Sequence, residues 1–292
     1  MVKENRVYII GGDLRQIKLA EELGKSGFEV ALFGFENFHG EFPVQPEKDL
    51  AQVEKANIVV LPLPTTVDRE TVNMPLCERK IFLKDLFHLL KEEQKVFAGK
   101  VSTDMCEMAK EQAITLYDYL EREEMAVLNA VPTAEGAIQI AFEEMPTTLW
   151  KSRALIFGYG RIGKILAKDL AGLGAQVDIV ARKYSDMAWI KAMGHTPVTY
   201  EELDGNLSKY DVIFNTVPSK VLKRGQLEKI RCDCLIVDLA SNPGGVDFGA
   251  ATELGIKAIW ALSLPGKVAP VTAAAAIKET LMNMLKKVEV QV

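Results

Sequence analysis

The stretch from Ala154 to Gly163 constrains the fold more than any other part of the chain. It reads ALIFGYGRIG, a short apolar run that ends in Gly158, Gly160 and Gly163, and an amphipathic helical pattern follows it. In this spacing the first glycine permits a tight turn, the second lets backbone approach a ligand, and the third lets helix and strand pack closely. The pattern therefore predicts a βαβ unit whose helix N-terminus binds the pyrophosphate of a dinucleotide.

The next predicted strand carries information on which dinucleotide is bound. It covers residues 176–182, and its end reads Ala181, Arg182 and Lys183. In sites that prefer NAD, an acidic residue at this point binds the ribose hydroxyls, whereas cations suit the 2′-phosphate of NADP. We therefore predict that NADP is accepted, with NAD still possible. The alternative is that both cations are simply solvated.

Two later strands should bring further loops to the same edge of this sheet. One ends in the run from Asn215 to Pro218, and the other ends in the run from Asp238 to Ala240. Ligands of doubly wound sheets bind outside the carboxyl ends of the strands, so these loops are predicted to contact the ribose and the nicotinamide. The predicted cofactor-binding residues are Gly158, Gly160, Arg161, Ile162, Gly163, Ala181, Arg182, Lys183, Asn215, Thr216, Val217, Pro218, Asp238, Leu239 and Ala240.

Composition and charge narrow the class of protein. The chain has 292 residues, of which 48% are hydrophobic and 26% charged, and this length and balance are typical of a soluble protein with two domains. A net charge of −5 without a basic stripe argues against nucleic-acid binding, and no apolar run approaches the roughly 20 residues that cross a bilayer. The four cysteines match neither a disulfide framework nor a metal site, so we expect a reducing cytoplasm and no metal.

The beginning of the chain shows the same alternation of strand and helix. A strand over residues 6–10 ends in GGDLRQ and precedes a helix, but the third glycine of a dinucleotide site is missing. We therefore predict an α/β protein of two Rossmann-like domains, each a doubly wound parallel sheet, with a cleft between them and a long linking helix. The predicted domains are residues 1–130 and 131–271, with a linker helix over 133–145 and a C-terminal helix over 272–288 that packs back on the first domain.

Polar side chains at predicted strand ends, loops and the domain junction are candidates for a substrate site. Thr65 and Thr66 follow a strand and two prolines, where they either bind a substrate or cap a turn. The linker helix should place Thr133 near its N-cap and Glu135 in its first turn, and capping with solvation explains Glu135 equally well. The full set of candidates is Arg15, Thr65, Thr66, Lys100, Asn129, Thr133, Glu135, Ser241 and Lys267.

Five stretches together resemble the dipicolinate synthase A-subunit family of spore-forming bacteria. They read GGDLRQ (11–16), NAVPTAEG (129–136), FGYGRIG (157–163), ASNPGGVD (240–247) and SLPGKVAP (263–270). The glycine pattern is shared by many families, whereas the other four stretches are more specific. The resemblance extends over essentially the whole chain.

This resemblance implies an NAD(P)-dependent oxidoreductase that acts with the flavoprotein-like B-subunit of dipicolinate synthase in the mother cell during sporulation. Its expected substrate is dihydrodipicolinate, which derives from the tetrahydrodipicolinate of the lysine pathway and is oxidised to aromatic dipicolinate. Two substrate carboxylates require convergent cations and hydrogen-bond donors, and the candidate residues supply both. One proton must also be accepted, and Glu135 or Lys267 is the candidate base. The oligomeric state stays open, a homo-oligomer included.

Two other functions are compatible with parts of the pattern. A 2-hydroxyacid dehydrogenase shares the two-domain architecture, but such enzymes need a histidine after the nucleotide domain, and none follows His195 in this chain. A protein that binds the cofactor without catalysing a reaction is the second alternative, since no residue is an unmistakable acid or base. Reduction of the cofactor in the presence of substrate distinguishes an enzyme from such a binding protein.

Overall fold

The structure is a computed structural model that describes residues 5–203, 205 and 207–290. The chain divides into two compact units, one formed by Met1–Leu128 with Ala269–Val292 and the other by Asn129–Val268. Each unit is built on its own parallel β-sheet with helices packed against it. The prediction of an α/β protein with two doubly wound parallel-sheet domains is therefore confirmed.

The sheet of the first unit consists of β1 (Arg6–Ile10), β2 (Glu29–Phe33), β3 (Ile58–Val60), β4 (Lys95–Ala98) and β5 (Leu116–Asp118). All neighbouring strands are parallel, in the order β2-β1-β3-β4-β5. The strand order reverses between β1 and β3, and ligands of such sheets bind outside the strand ends at this position. The accompanying helices are α1 (Leu14–Lys25), a 3₁₀ helix (Leu50–Lys55), α2 (Leu83–Leu89) and α3 (Thr103–Glu111).

The helix α4 (Glu123–Glu144) corrects the predicted linker helix over 133–145. It begins ten residues before Thr133, and Pro132 lies inside it. Proline is favoured in the first turn of a helix and costs about 3 kcal/mol in its interior, which is why the sequence indicated a start near this residue. Burial of the apolar face that includes Ala130 and Ala134 offsets that cost, so the helix continues through the proline.

The second unit contains six parallel strands, namely β6 (Arg153–Phe157), β7 (Gln176–Val180), β8 (Thr196–Val198), β9 (Val212–Asn215), β10 (Leu235–Asp238) and β11 (Ala258–Trp260). Their order is β11-β10-β9-β6-β7-β8, which is the strand order of a dinucleotide-binding sheet with its reversal between β6 and β9. The helices are α5 (Arg161–Gly172), α6 (Tyr184–Ala192), α7 (Tyr200–Leu203), a 3₁₀ helix (Leu207–Lys209), α8 (Arg224–Leu227), α9 (Phe248–Glu253) and α10 (Leu264–Val268).

The last helix, α11 (Pro270–Val290), belongs to the first unit. It packs against α1 over much of its length, and Lys278 forms an ion pair with Glu22. Ile277 and Leu281 are buried in the core that also contains Ile9. The C-terminal segment therefore supplies part of the hydrophobic core on which the N-terminal sheet rests.

By length and composition alone, α4 could cross a membrane, and it is the one such helix among the described residues. This differs from the expectation that no apolar run approaches a membrane-spanning length. Half of the apolar window of α4 is buried inside the structure, and the alanines at positions 130, 134, 137 and 141 are all buried. A buried core helix passes the same test, so this feature is weak evidence for a membrane span.

We predict that Ile277→Ala destabilises the first unit by roughly 2 to 5 kcal/mol, because it leaves a cavity where α11 packs on the sheet. Val271→Ala is the matched control, since Val271 lies on the same helix and is 54% exposed. Its effect should stay within about 0.5 kcal/mol. Urea unfolding followed by circular dichroism measures both variants, and equal effects would contradict the packing role of α11.

Candidate functional site

The turn between β6 and α5 requires glycine at two of its positions. Gly158 has a φ angle of +96°, and a Cβ at this residue would lie 2.6 Å from Thr216 Oγ1. A Cβ at Gly163 would lie 2.2 Å from the carbonyl oxygen of Gly158, which no real contact permits. Side chains at these two positions would thus separate α5 from the end of β6.

The N-terminus of α5 offers a site for an anion. Gly160 is its N-cap, no side chain caps the first turn, and that turn contains no acidic residue. A Cβ at Gly160 would meet nothing within 4 Å, so there is free space in front of the helix. The backbone N–H groups that a helix leaves unpaired, with the positive end of its dipole, favour a phosphate here. A dinucleotide pyrophosphate fits this position, beside Arg161 and Ile162 of the first turn.

Two exposed cations follow β7, as the sequence indicated. Ala181 is buried in the core, whereas Arg182 and Lys183 extend into solvent. Neither cation forms a hydrogen bond or ion pair with the part of the chain that the structure describes. Burial raises the pKa of the Tyr200 hydroxyl, and the nearby Arg182 guanidinium counteracts that rise. Arg182 therefore lies close to the aromatic ring at the start of α7.

A depression of about 360 Å³ lies beside Arg182. Its wall contains the cations Arg182, Lys220 and Lys223, the polar residues Ser219 and Gln226, and Tyr200, and none of the described residues that line it is acidic. Lys220 and Lys223 belong to the loop after β9, and the sequence pattern indicated neither of them. Their position just beyond Pro218 could have pointed to them, since the predicted loop ends at that proline.

The side chains of Asn215 and Asp238 are both fully buried, at the ends of β9 and β10. Asp238 accepts hydrogen bonds from Asn215 Nδ2 (2.7 Å) and from the backbone N–H groups of Ala240 (3.1 Å), Gly245 (2.7 Å) and Val246 (3.2 Å). Asn215 in turn accepts a hydrogen bond from the N–H of Val217. These hydrogen bonds hold the neighbouring loops in place, and a contact of either residue with the cofactor stays a prediction.

The other residues of these two loops differ in how far they are exposed. Thr216 donates a hydrogen bond from Oγ1 to the carbonyl oxygen of Phe157 at 2.8 Å, so its hydroxyl joins the ends of β9 and β6. Leu239 and Ala240 are buried, Val217 is partly exposed, and Pro218 is exposed. Contacts from this edge to a ligand would therefore come from backbone atoms and from the exposed residues.

Ser241 is exposed at the start of a tight turn after β10. Its carbonyl oxygen accepts a hydrogen bond from Gly244, and the peptide bond between Asn242 and Pro243 is cis. The indole N–H of Trp260 donates to the carbonyl oxygen of Ala240 at 2.9 Å. These contacts fix the backbone on both sides of Ser241 and leave its side chain in solvent.

In the first unit, the N-terminus of α1 is capped by the protein itself. Asp13 accepts from the backbone N–H of Arg15, and the Gln16 side chain accepts from the N–H of Asp13. Because a carboxylate already occupies this helix end, a second dinucleotide pyrophosphate is not expected here.

Arg15 is buried, with its guanidinium oriented by two partners. Nε and Nη2 donate to the Asp13 carboxylate at 2.9 and 2.8 Å, and Nη2 also donates to the carbonyl oxygen of Leu63. Nη1 has no partner among the described residues. The guanidinium is thus positioned at the end of β1 with donor capacity left for a ligand carboxylate.

The two threonines after β3 hold their own loop together. Thr65 is fully buried, and its hydroxyl lies within hydrogen-bond distance of the Pro62 carbonyl and of both backbone groups of Gly99. Thr66 donates to Asp68 and accepts from the N–H of Arg69. The structure therefore favours the turn-forming alternative for both residues. Lys100, by contrast, is exposed, and it has a φ angle of +65°.

The candidates on α4 lie well inside a continuous helix. Thr133 donates from its hydroxyl to the carbonyl oxygen of Asn129 at 2.7 Å, so it is not an N-cap. Asn129 Oδ1 is buried, and no described residue donates a hydrogen bond to it. Glu135 is exposed and lies several turns into the helix rather than in its first turn, because the helix begins at Glu123.

Glu135 and Lys267 lie on two helices that pack closely. A Cβ at Gly136 would lie 3.2 Å from both Leu264 and Val268, so α4 and α10 are in contact at this glycine. Lys267 is exposed on α10, which follows the end of β11. Glu135 lines an apolar depression of about 480 Å³ with the second half of α5, away from the glycine turn.

The cysteines stand apart from these candidate sites. Burial raises the pKa of the Cys234 thiol to about 12, whereas Cys232 is exposed. Within the described residues, no three His, Cys, Asp or Glu side chains are grouped so that they could bind a metal ion. Neither cysteine therefore adds a reactive group to the loops described above.

Family models match both units of the chain. The model of the N-terminal domain of the dipicolinate synthase A-subunit matches residues 6–120. The model of the NAD binding domain of D-isomer specific 2-hydroxyacid dehydrogenases matches residues 129–240. The second match covers the glycine turn, the loops after β7 and β9, and β10 with the two residues that follow it.

Comparisons with individual proteins extend over the full chain. The dipicolinate synthase A-subunit of Bacillus subtilis is 31% identical over 289 residues, which are 98% of this chain and 97% of that protein. The crystal structure of the A-subunit from Bacillus halodurans superposes with a TM-score of 0.87 at 31% identity, over 98% of this chain and 99% of that one. D-lactate dehydrogenase of Escherichia coli, at 15% identity and a TM-score of 0.61 over 97% of each chain, shares the fold.

We predict that Gly163→Ala lowers the stability of the second unit by about 1 to 3 kcal/mol, because the added methyl group clashes with the Gly158 carbonyl. Gly172→Ala is the matched control on the same helix, since a Cβ there would meet nothing within 4 Å. The control should be neutral or stabilising by up to about 1 kcal/mol. Thermal unfolding measures both, and a Gly163→Ala protein as stable as the control would contradict the close packing.

Proposed function

Since the chain belongs to the dipicolinate synthase A-subunit family, we propose that it oxidises dihydrodipicolinate to dipicolinate with NADP or NAD as cofactor. The dehydrogenase-like fold of the second unit supports an oxidoreductase. The observation that carries the proposal is the N-terminus of α5, which follows Gly158 and Gly160 and has no side-chain cap. The chain also aligns with the Bacillus subtilis A-subunit over 98% of its own length. When bound, an oxidised nicotinamide supplies the hydride acceptor.

The protein's contribution to such a reaction is mainly positional. The substrate loses a hydride and a proton and becomes an aromatic ring, so the driving force comes from the substrate itself. The protein must hold the ring in one orientation, keep competing water away and accept the proton. Asp238 holds the loops after β9 and β10 in place, and these loops provide a fixed surface against which the ring is oriented.

Two negatively charged carboxylates must be bound, and the chain offers cations for this purpose. We propose Arg15, Lys100 and Ser241 as carboxylate-binding residues. Arg15 is already oriented by Asp13, so little entropy is lost when its free Nη1 binds an anion. We do not include the three threonines among the carboxylate-binding residues. The Thr65 hydroxyl is buried within its own loop, and the hydroxyls of Thr66 and Thr133 already donate to Asp68 and to the Asn129 carbonyl.

As the group that accepts the substrate proton, Lys267 fits the geometry better than Glu135. Lys267 follows β11 and therefore lies near the carboxyl edge of the sheet, where ligands bind. Glu135 shares its depression with Lys168 and Gly172, which are roughly 12 and 18 Å along the axis of α5 from Gly160. A lysine can accept a proton only after it has lost one, so this role requires deprotonation of Lys267 in the complex.

The same family membership bears on partners and location. Relatives are named as the A-subunit of dipicolinate synthase, which implies a B-subunit, and we propose that B-subunit as the partner of this chain. We further propose that it works in the cytoplasm of the mother cell of a sporulating bacterium and binds no nucleic acid. Asn129, whose Oδ1 is buried without a donor among the described residues, is proposed as a further substrate-binding residue.

The decisive experiment measures dipicolinate and reduced cofactor together. Dihydrodipicolinate is generated in situ from pyruvate and aspartate semialdehyde, and absorbance at 340 nm is followed with NADP⁺ or NAD⁺. The chain is assayed alone and with the B-subunit. We expect both products only when this chain is present, and we expect Gly160→Ala to raise the KM for the cofactor at least tenfold by filling the space in front of α5.

Gly172→Ala serves as the control, with an unchanged KM. Reduction of the cofactor by a 2-hydroxy acid instead would favour a 2-hydroxyacid dehydrogenase, whose NAD binding domain the second unit resembles. Cofactor binding with no reduction under any condition would leave a non-catalytic binding protein. Either result would refute the proposed activity.

A further inference from the structure

We propose that Lys220 and Lys223 bind the 2′-phosphate of NADP together with Arg182, and that they set the preference of the chain for the phosphorylated cofactor. This inference rests on the proposed function, since it assumes a dinucleotide at the glycine turn. It adds two residues from the loop after β9, which the sequence pattern after β7 does not reveal.

Three cations from two separate loops converge on one small space. Arg182 comes from the end of β7, and Lys220 and Lys223 come from the other loop, yet all three line one depression of about 360 Å³. Within residues 5–203, 205 and 207–290, no acidic side chain lines it. Like charges repel, so three cations around one small space leave a positive potential that a dianion would neutralise.

These cations keep most of their hydrogen-bonding capacity. The side chains of Arg182 and Lys223 form no hydrogen bond or ion pair within the described ranges of the chain. Lys220 donates one hydrogen bond to the carbonyl oxygen of Val246 at 2.5 Å, and its Nζ lies 6.0 Å from the centre of the Phe248 ring. These contacts orient Lys220 and leave the ammonium with two more N–H donors.

The depression lies at the part of the sheet where the ribose is expected. The dinucleotide pyrophosphate is expected at the α5 N-terminus, and the adenosine ribose of such a ligand lies at the end of the next strand, which is β7 here. Arg182 is the second residue after β7, so the depression starts where the ribose 2′-position is expected. Ser219 and Gln226 add neutral polar groups, and the Tyr200 ring offers a surface for the adenine.

The experiment measures binding rather than turnover. Isothermal titration calorimetry on the full chain compares NADP⁺, NAD⁺ and the fragment 2′,5′-ADP, for the wild type and for Lys220→Gln and Lys223→Gln. Lys191→Gln is the matched control, because Lys191 is an exposed lysine on α6 outside the depression. Thermal unfolding verifies that each variant is folded.

We expect each pocket variant to raise the Kd for NADP⁺ and 2′,5′-ADP about tenfold, through loss of one charge-assisted contact, and to leave the Kd for NAD⁺ within about twofold. Lys191→Gln should leave the Kd values for NADP⁺, NAD⁺ and 2′,5′-ADP unchanged. The effect should also shrink as salt is raised, because exposed charges are screened.

Two results would overturn the inference. If the wild type binds both dinucleotides and the variants weaken neither, or weaken both equally, the lysines do not read the 2′-phosphate, although the proposed function still stands. If the folded wild type binds no dinucleotide at all, the proposed function fails, and the inference fails with it.

Discussion

The second unit depends on one buried carboxylate. Asp238 is removed from solvent at the end of β10, and four N–H donors from three different segments surround it. A buried polar group is costly unless it is hydrogen-bonded, and these four donors satisfy the Asp238 side chain. Because the donors come from the ends of β9 and β10 and from the turn at Gly245, this single group fixes the relative positions of the loops that border the candidate cofactor site. A Cβ at Gly245 would lie 2.1 Å from Asn215 Nδ2, so the turn must approach this closely without a side chain.

Much of the fold could be predicted from local patterns. Three glycines at fixed spacing between a strand and a helix specify a βαβ unit, and the remaining strands follow from short apolar runs that end in polar loops. The sequence misled where tertiary packing outweighs a local preference. Pro132 is an example, because a proline usually marks a helix start, whereas the burial of its alanine neighbours extends α4 across it.

The candidate site was less predictable because a sequence does not show which polar group faces inward. Asp238 and Thr65 occupy strand ends, where ligand-binding residues are common, yet both are fully buried and serve the loops themselves. Lys220 and Lys223 are the opposite case, because no sequence pattern predicted them and yet they line the depression beside Arg182. They are distant in sequence from Arg182, and only the adjacency of β7, β6 and β9 brings their loops to one depression.

The two units contain the same local element, a strand that enters a helix through glycines, and they complete it differently. At α1 the Asp13 side chain satisfies the helix end, whereas the end of α5 has no such cap. The N–H groups at the start of α1 are therefore satisfied within the chain, whereas those at the start of α5 remain available to a ligand. By mass action, a ligand that binds only the folded state at a hundred times its Kd contributes about 2.7 kcal/mol to stability. A ligand held at the N-terminus of α5 would stabilise the fold in this way, so a protein saturated with that ligand would open to proteases less often than the free protein.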